Sequence, residues 1–329
     1  MSQPRIEPCR NPEQLRAYID EHWRRGHVLA TDETMFRFTY MTPWVNRDVF
    51  PEGVSVLTVM NGDGPSSRML GFLGAICAPY PRPTSYWLAL WHVLPELKGT
   101  GLGGKLLQTM QEIALTAGGK QPYGRAGWIG TFGAGPEALP VYLKRGYAVR
   151  SGRRWIYQQS DGPAQLRAPM PEPIPMNLAE CAPAEAWLAH RFDNHPIYKY
   201  ERKDQCAFRT EVNDWGRVTH AVRVAGDWRE HVHAVYEREK LLADIASLPY
   251  IMDAWAFDCP GPGWELAPND LPSVFHPPEA RGNVTNAVGL PFIPSAIHKG
   301  DCDQDRPNAT DASQAHESHG SHGSTSTAR

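Results

Sequence analysis

The hydrophobic and polar positions of this 329-residue chain form two patterned stretches with a proline-rich one between them. From Glu13 to Trp23 the apolar positions Leu15, Tyr18, Ile19 and Trp23 keep helical spacing and predict a helix. Residues 26–48 are aromatic but have no period. Val54 to Met60 reads as a strand, Asn61-Gly-Asp-Gly64 as hairpin punctuation, and Met69 to Cys77 as the returning arm. A strand over Tyr86–Val93 follows, then a helix over Gly101–Ala117 and a strand over Ala126–Gly130. The stretch closes with a short helix, Pro136–Lys144, and strands within Tyr147–Tyr157.

Residues 160–182, which include Pro171-Glu-Pro-Ile-Pro175, show no period and predict an extended, stiff spacer. The pattern then restarts with a helix near Pro183–Arg191 and strands at Ala207–Val212 and Arg217–Val224. A helix at Tyr236–Ser247 and a strand at Tyr250–Phe257 complete it. This β-β-α-β order is a shortened echo of the first half. Residues 309–329, rich in Ser, His, Gly and Thr, predict a disordered tail. The expected domains are therefore 1–159 and 183–308, joined by 160–182.

Composition narrows the class. A hydrophobic content of 41% with 11 tryptophans is enough for two cores, and a net charge of −3 points to neither nucleic acid nor membrane as a partner. The six cysteines are scattered without a C-x-x-C pair, which suggests neither a zinc site nor a disulfide framework. The N-terminus has no apolar leader, and no run approaches the roughly 18 apolar residues of a membrane span. A cytoplasmic protein is expected.

The most informative segment is Lys98-Gly-Thr-Gly-Leu-Gly-Gly104, set between a strand and a helix. Glycines there let several backbone N–H groups gather at the positive end of a helix without a Cβ in the way, which suits a pyrophosphate. The dinucleotide fingerprint also needs an acidic residue about 20 positions on, where Gln121-Pro-Tyr-Gly124 stands. The Walker pattern needs Ser or Thr after Gly104-Lys105, where Leu106 stands. Neither reading survives.

The segment resembles motif A of the GNAT acyl-CoA N-acyltransferase superfamily: Val93-Leu-Pro-Glu96 followed by Lys98-Gly-Thr-Gly101-Leu-Gly103, with Lys98 where Arg or Gln is usual. About 40 residues on, Tyr142-Leu-Lys-Arg-Gly146-Tyr147 resembles motif B, although Gly135 stands where an asparagine is usual. The resemblance implies a mixed α/β GNAT fold followed by a second, degenerate GNAT-like domain. It also implies acetyl-CoA as cosubstrate, held by Val93, Lys98, Gly99, Thr100, Gly101, Leu102, Gly103 and Gly104. Arg191–Tyr200, Lys299–Asn308, His22-Trp23 and Gly26-His27 resemble tandem GNAT-like proteins found with bacterial surface-polysaccharide genes.

In this chemistry an amine attacks the thioester, and backbone N–H groups around His92 and Val93 would polarise its carbonyl. Tyr142 is the candidate acid for the leaving thiolate; the alternative is a tyrosine packed on the sheet. His92 is the candidate base, in competition with Asp32, Glu33 and Glu96. Trp87 and Trp91 share a parity and read first as core, with Trp91 also a candidate floor of the acceptor pocket. Arg37 is the candidate acceptor contact among Arg24, Arg25 and Arg37, beside Phe36, Phe38, Tyr40 and Trp44. Asp301-Cys-Asp-Gln-Asp305 begins like a calcium loop, but Arg306 and Ala312 stand where glycine and glutamate are needed, so no metal is expected. The expected activity is N-acetylation of a small-molecule amine, an amino sugar or nucleotide-linked amino sugar, by a protein that could pair as a homodimer. The alternatives are acetylation of a protein or peptide, and a non-catalytic acyl-CoA-binding protein.

Overall fold

A computed structural model describes residues 3–116, 127–158, 185–256, 260–267 and 273–276, apart from positions 63, 65, 66, 80–83, 133, 152, 215 and 227. The proline-rich spacer, the acidic run at 301–305 and the tail lie outside the described residues.

Two mixed sheets with helices make up the fold. Strand β1 (Arg5–Pro8) leads into helix α1 (Pro12–Tyr18), whose start is fixed by the Asn11 side chain accepting from the Gln14 N–H at 2.9 Å. The expected helix over 13–23 is really two pieces. Ile19–Trp23 is a π turn, closed by the Arg24 N–H on the Ile19 carbonyl at 2.9 Å. Residues 26–48, which show no period, nevertheless hold helices α2 (Val28–Thr31) and α3 (Glu33–Tyr40). Asp32 caps α3, accepting from the Met35 N–H at 2.8 Å.

Strands β2 (Val56–Asn61), β3 (Arg68–Ala78) and β4 (Ser85–Val93) form an antiparallel meander with β1 at its edge. Their runs are buried almost continuously rather than alternately, as expected when both faces of a sheet are covered. Helix α4 (Leu102–Thr116) follows β4 and puts Leu106, Leu107, Met110 and Ala114 in the core. Strand β5 (Trp128–Phe132) then pairs parallel to β4, and helix α5 is Leu139–Lys144. A meander followed by strand, glycine turn, helix and parallel strand is the order the GNAT resemblance implies.

The residues expected as the last strands of the first half divide between the two sheets. Strand β6 (Ala148–Ser151) stays in the first sheet, whereas β7 (Arg153–Tyr157) pairs with β11 (Tyr250–Ala256) and β12 (Trp264–Leu266) in the second. In return β13 (Ser273–His276) enters the first sheet between β5 and β6. The sheet orders are β1-β2-β3-β4-β5-β13-β6 and β12-β7-β11-β10-β9-β8, where β8 is Glu201–Lys203, β9 Cys206–Asn213 and β10 Gly216–Arg223.

The two sheets have the same plan. In each, an antiparallel pair leads through a helix to a parallel strand: β3, β4, α4 and β5 in one, β9, β10, α7 (Trp228–Ile245) and β11 in the other. In each, the strand beside the parallel one comes antiparallel from the other half of the chain. The helical entry repeats too, since α6 (Glu185–Leu188) runs into a π turn at Ala189–Asp193 as α1 does at Ile19–Trp23. Helix α7 starts eight residues before the expected Tyr236, because Trp228, Val232, Val235 and Glu239 turn one stripe toward the sheet.

The halves meet through tryptophans. Trp187 of α6 is fully buried against Ile76, Ala78, Trp87 and Trp128 of the first sheet, with Trp44 and Trp255 packed around them. Phe38 stacks on His190 at 4.6 Å between ring centroids.

Candidate active site

The site is built around a fault in β4. Register runs from Ala75 opposite Leu88 to Leu73 opposite Trp91, so β4 carries one extra residue opposite Gly74. Gly74 is obligatory there for another reason: a Cβ would stand within 2.7 Å of the buried Tyr40 ring. The bulge reverses the faces beyond it. Trp87 and Trp91, four residues apart, share a face by parity, yet Trp87 turns toward the second half and Trp91 toward α4 and α5.

Pairing of β4 with β5 ends at Trp87, opposite Gly130. Beyond it the strands part, and the Thr131 hydroxyl crosses to the Leu88 carbonyl at 3.0 Å. The Leu94 N–H bonds to Leu70 of β3. Alternation along the strand therefore aims the Trp91 and Val93 N–H groups the other way, toward the edge where β5 has left. The chemistry sits on either side of this opened edge.

On the α4 side is the glycine turn. Gly99 and Gly101 have φ of 83° and 85°, a conformation other residues rarely take, and a Cβ at either would meet nothing within 4 Å. The turn is thus open on its outer face. Helix α4 makes its first bond from the Lys105 N–H to the Gly101 carbonyl. The N–H groups of Leu102, Gly103 and Gly104 come before that bond and belong to the set a helix cannot itself satisfy. Gly103 lies against the Trp91 indole and Gly104 near the Arg145 guanidinium, which also donates to Gln108 at 2.8 Å. Lys98 is paired with Glu137, which precedes α5, at 2.8 Å. Thr100 folds back, its hydroxyl bonding to the Leu97 carbonyl at 2.7 Å.

Tyr142 of α5 closes this side. Its ring meets Trp91 edge-on at 5.6 Å and Tyr147 at 5.1 Å, and the residue is 3% exposed. Burial pushes the phenol well above its ordinary value, so it carries its proton throughout the neutral range.

On the α1 side is His92. Its Nδ1 lies 3.0 Å from the Tyr18 hydroxyl, and its ring packs at 5.7 Å from Tyr18 and 5.6 Å from Trp23. Burial first, then His22 and Lys98, hold its pKa below the ordinary imidazole value, so the ring is neutral at neutral pH. Tyr18 and Trp23 are site residues that the helical spacing showed only as apolar positions.

The remaining candidates lie elsewhere. Arg37 stands on the exposed face of α3, bonded to Glu33 at 2.8 Å. Asp32 is occupied as the cap of α3, and Glu96 is 3.5 Å from Arg68. Phe36 and Tyr40 are core residues, while Phe38 and Trp44 pack against His190 and Trp187 of the second half. The aromatics of residues 26–48 thus seal the fold and join its halves. A cavity of about 420 Å³ opens beside Tyr18 and His22, lined also by Glu21 and Arg68. A larger one of about 610 Å³ lies over β1 and β2, away from Tyr142 and the glycine turn. Among the described residues no group of three His, Cys, Asp or Glu could hold a metal ion. No helix among them is long and apolar enough to cross a membrane.

No family model matches the chain, and no curated protein matches its sequence. Solved structures do resemble it. A GCN5-related N-acetyltransferase from Kribbella flavida is 12% identical with a TM-score of 0.48, over 83% of this chain and 70% of that one. One from Anabaena variabilis is 14% identical with a TM-score of 0.46, over 83% and 72%. Another, from Sphaerobacter thermophilus, is 14% identical with a TM-score of 0.42, over 83% and 94%. At these identities and TM-scores the likenesses bring neither an activity nor an acceptor to this chain.

Proposed function

We propose that the chain is an acyl-CoA-dependent N-acyltransferase, using acetyl-CoA to acetylate the amine of a small molecule. The observation that carries this is the opened edge of β4, with an outward-facing glycine turn at one end and Tyr142 and His92 on its two sides. Acetyl-CoA suits the residues present. A pyrophosphate would meet the Leu102, Gly103 and Gly104 N–H groups at the open face of the turn, and the pantetheine would lie along the β4 edge that β5 leaves.

The residues then have distinct tasks. The Trp91 and Val93 N–H groups, aimed at the gap, would bond to the thioester oxygen as its charge grows. His92, kept neutral by burial, takes the proton the ammonium must lose, and its bond to Tyr18 fixes the ring. A C–N bond forms as the C–S bond breaks, and the nitrogen gives up its second surplus proton to water. The thiolate collects the Tyr142 proton, which solvent later restores.

The second half has no glycine turn: Gly226 is the one glycine between Arg223 of β10 and Trp228 of α7. In this reading it binds no CoA. The aromatics of residues 26–48 expected to face an amino sugar are used by the fold elsewhere, and Arg37 is engaged with Glu33. What supports the broader reading is the His92 side of the gap. Release of free CoA from acetyl-CoA in the presence of amines, set against basic peptides and nucleotide-linked amino sugars, tests it. A protein that binds acetyl-CoA but releases no CoA with any acceptor would be a non-catalytic binder.

A further inference from the structure

Five residues along an ordinary α-helix bring a side chain about 140° round the axis, at roughly 100° per residue, so Tyr18 and Trp23 would not share a face. The π turn at Ile19–Trp23 holds five residues in one closed turn and brings them together. Both rings reach the His92 imidazole, and His22 joins them at 4.8 Å from Tyr18. Four aromatic rings therefore meet at one end of the opened β4 edge, where the acceptor must enter. Trp23, 42% exposed, forms the outer lip.

The rings, rather than the surrounding charges, favour a cation: His22 and Lys98 both act against positive charge at His92, and Arg24 and Arg25 follow Trp23. Glu21 is exposed beside His22, at 3.6 Å. Arg68 and Lys98 also lie nearby, 3.5 Å from Glu96 and 2.8 Å from Glu137. Aromatic faces attract an ammonium through their π electrons and offer nothing to a phosphate. Burial keeps His92 from competing as a cation of its own.

We propose that Tyr18, His22, Trp23 and His92 form a seat for a small alkyl- or aralkylammonium ion, and that the acceptor is a cationic amine of this class rather than a nucleotide-linked sugar. This rests on the acyltransferase reading for the fate of the amine, but the seat can be tested without it. Tetramethylammonium has no N–H and cannot be acylated, so its binding reports on the rings alone.

The full chain is titrated with tetramethylammonium, using ligand-observed NMR. Saturable binding is expected, competed by alkylamines and not by a nucleotide-linked sugar. Trp23→Ala should weaken it about tenfold and Trp23→Phe much less, with both variants melting like the parent and binding acetyl-CoA as before. Absence of saturable binding, or binding that Trp23→Ala leaves unchanged, overturns the seat. Competition by nucleotide-linked sugars or basic peptides, with none by alkylamines, overturns the acceptor class. Loss of acetyl-CoA binding in the parent would instead be a failure of the acyltransferase reading, and the two outcomes are separable.

Discussion

The Cα of Gly103 rests on the indole of Trp91, so closely that a Cβ there would stand 3.2 Å from the ring's Cζ2. This contact ties the start of α4 to the opened stretch of β4. It fixes the glycine turn relative to the Trp91 and Val93 N–H groups, so that one extended ligand could engage both.

The turn itself is strained for any residue but glycine. Gly101→Ala would meet no atom, yet it forces a side chain to φ 85°. The expected cost is about 1–2 kcal/mol in chemical denaturation. An unchanged midpoint would mean that the turn relaxes to another conformation.

Tyr142→Phe keeps the ring against Trp91 and Tyr147 and removes only the hydroxyl. Turnover should fall on the order of 10²-fold with acetyl-CoA affinity little altered. Because burial raises the phenol, the parent should show no loss of activity from this group across the neutral and mildly basic range.

His92 must be neutral to accept a proton, and its pKa is lowered. Activity should therefore persist as pH falls through the ordinary imidazole range and decline only below it. His92→Gln should cost about 10²–10⁴-fold in kcat/KM and abolish that acidic limb. Tyr18→Phe should move the limb while leaving acetyl-CoA affinity unchanged. A profile in Tyr18→Phe identical to the parent's would mean that Tyr18 does not act on His92.

In the second sheet His220 Nδ1 is 2.7 Å from the buried Asp253, and Arg154 is 2.7 Å from the same carboxylate. Glu211 bonds to His220 and Arg209. The His220 bond first, with Arg209 adding, holds Glu211 at about 2. Burial alone would raise Asp253, but the bonds to His220 and Arg154 outweigh it and hold it low. Burial likewise works to lower His220, and the two carboxylates together raise it. The carboxylate contribution is present above their ordinary values of 3.8 and 4.5 and fades as pH falls. The His220 contribution is full below 6.5 and fades as pH rises through its raised value. Stability should therefore peak between about pH 5 and 6.5. Asp253→Asn should cost about 3 kcal/mol there, measured by denaturant titration.

Exchange of β7 and β13 makes each sheet depend on the other half of the chain. Residues 1–159 alone lack β13 beside β5 and should fail to give a cooperative melt. A chain cut by a protease at a site engineered into 160–182 should still elute as one species. Separation of the two fragments without denaturant would contradict the exchange.

Much of this was legible because its signals are local. The glycine turn, its flanking strand and helix, and Tyr142 lie within short windows, and the β-β-α-β order follows from local strand and helix periods. What escaped depends on one extra residue or on distant pairing. A single insertion in β4 sends Trp91 to the face opposite Trp87, and no periodicity shows it. The π turn lets Tyr18 and Trp23 both pack on the His92 ring although their spacing in sequence reads as plain helix. Helix α3 hid because Phe36, Phe38 and Tyr40 mask its period; the Asp32 cap followed by Glu33 was the available clue. The strand exchange leaves no mark in the sequence, since β7 and β13 carry no feature that names a partner sheet.

Everything proposed for the site depends on the Lys98–Gly104 turn and the parted β4 edge holding acetyl-CoA. Calorimetric titration of the full chain with acetyl-CoA tests it most directly, with Gly101→Asp placing a carboxylate where phosphate must approach. One site per chain is expected and, in the variant, an affinity at least tenfold lower, about 1.4 kcal/mol. Two sites per chain, or equal binding by a folded Gly101→Asp variant, would contradict it.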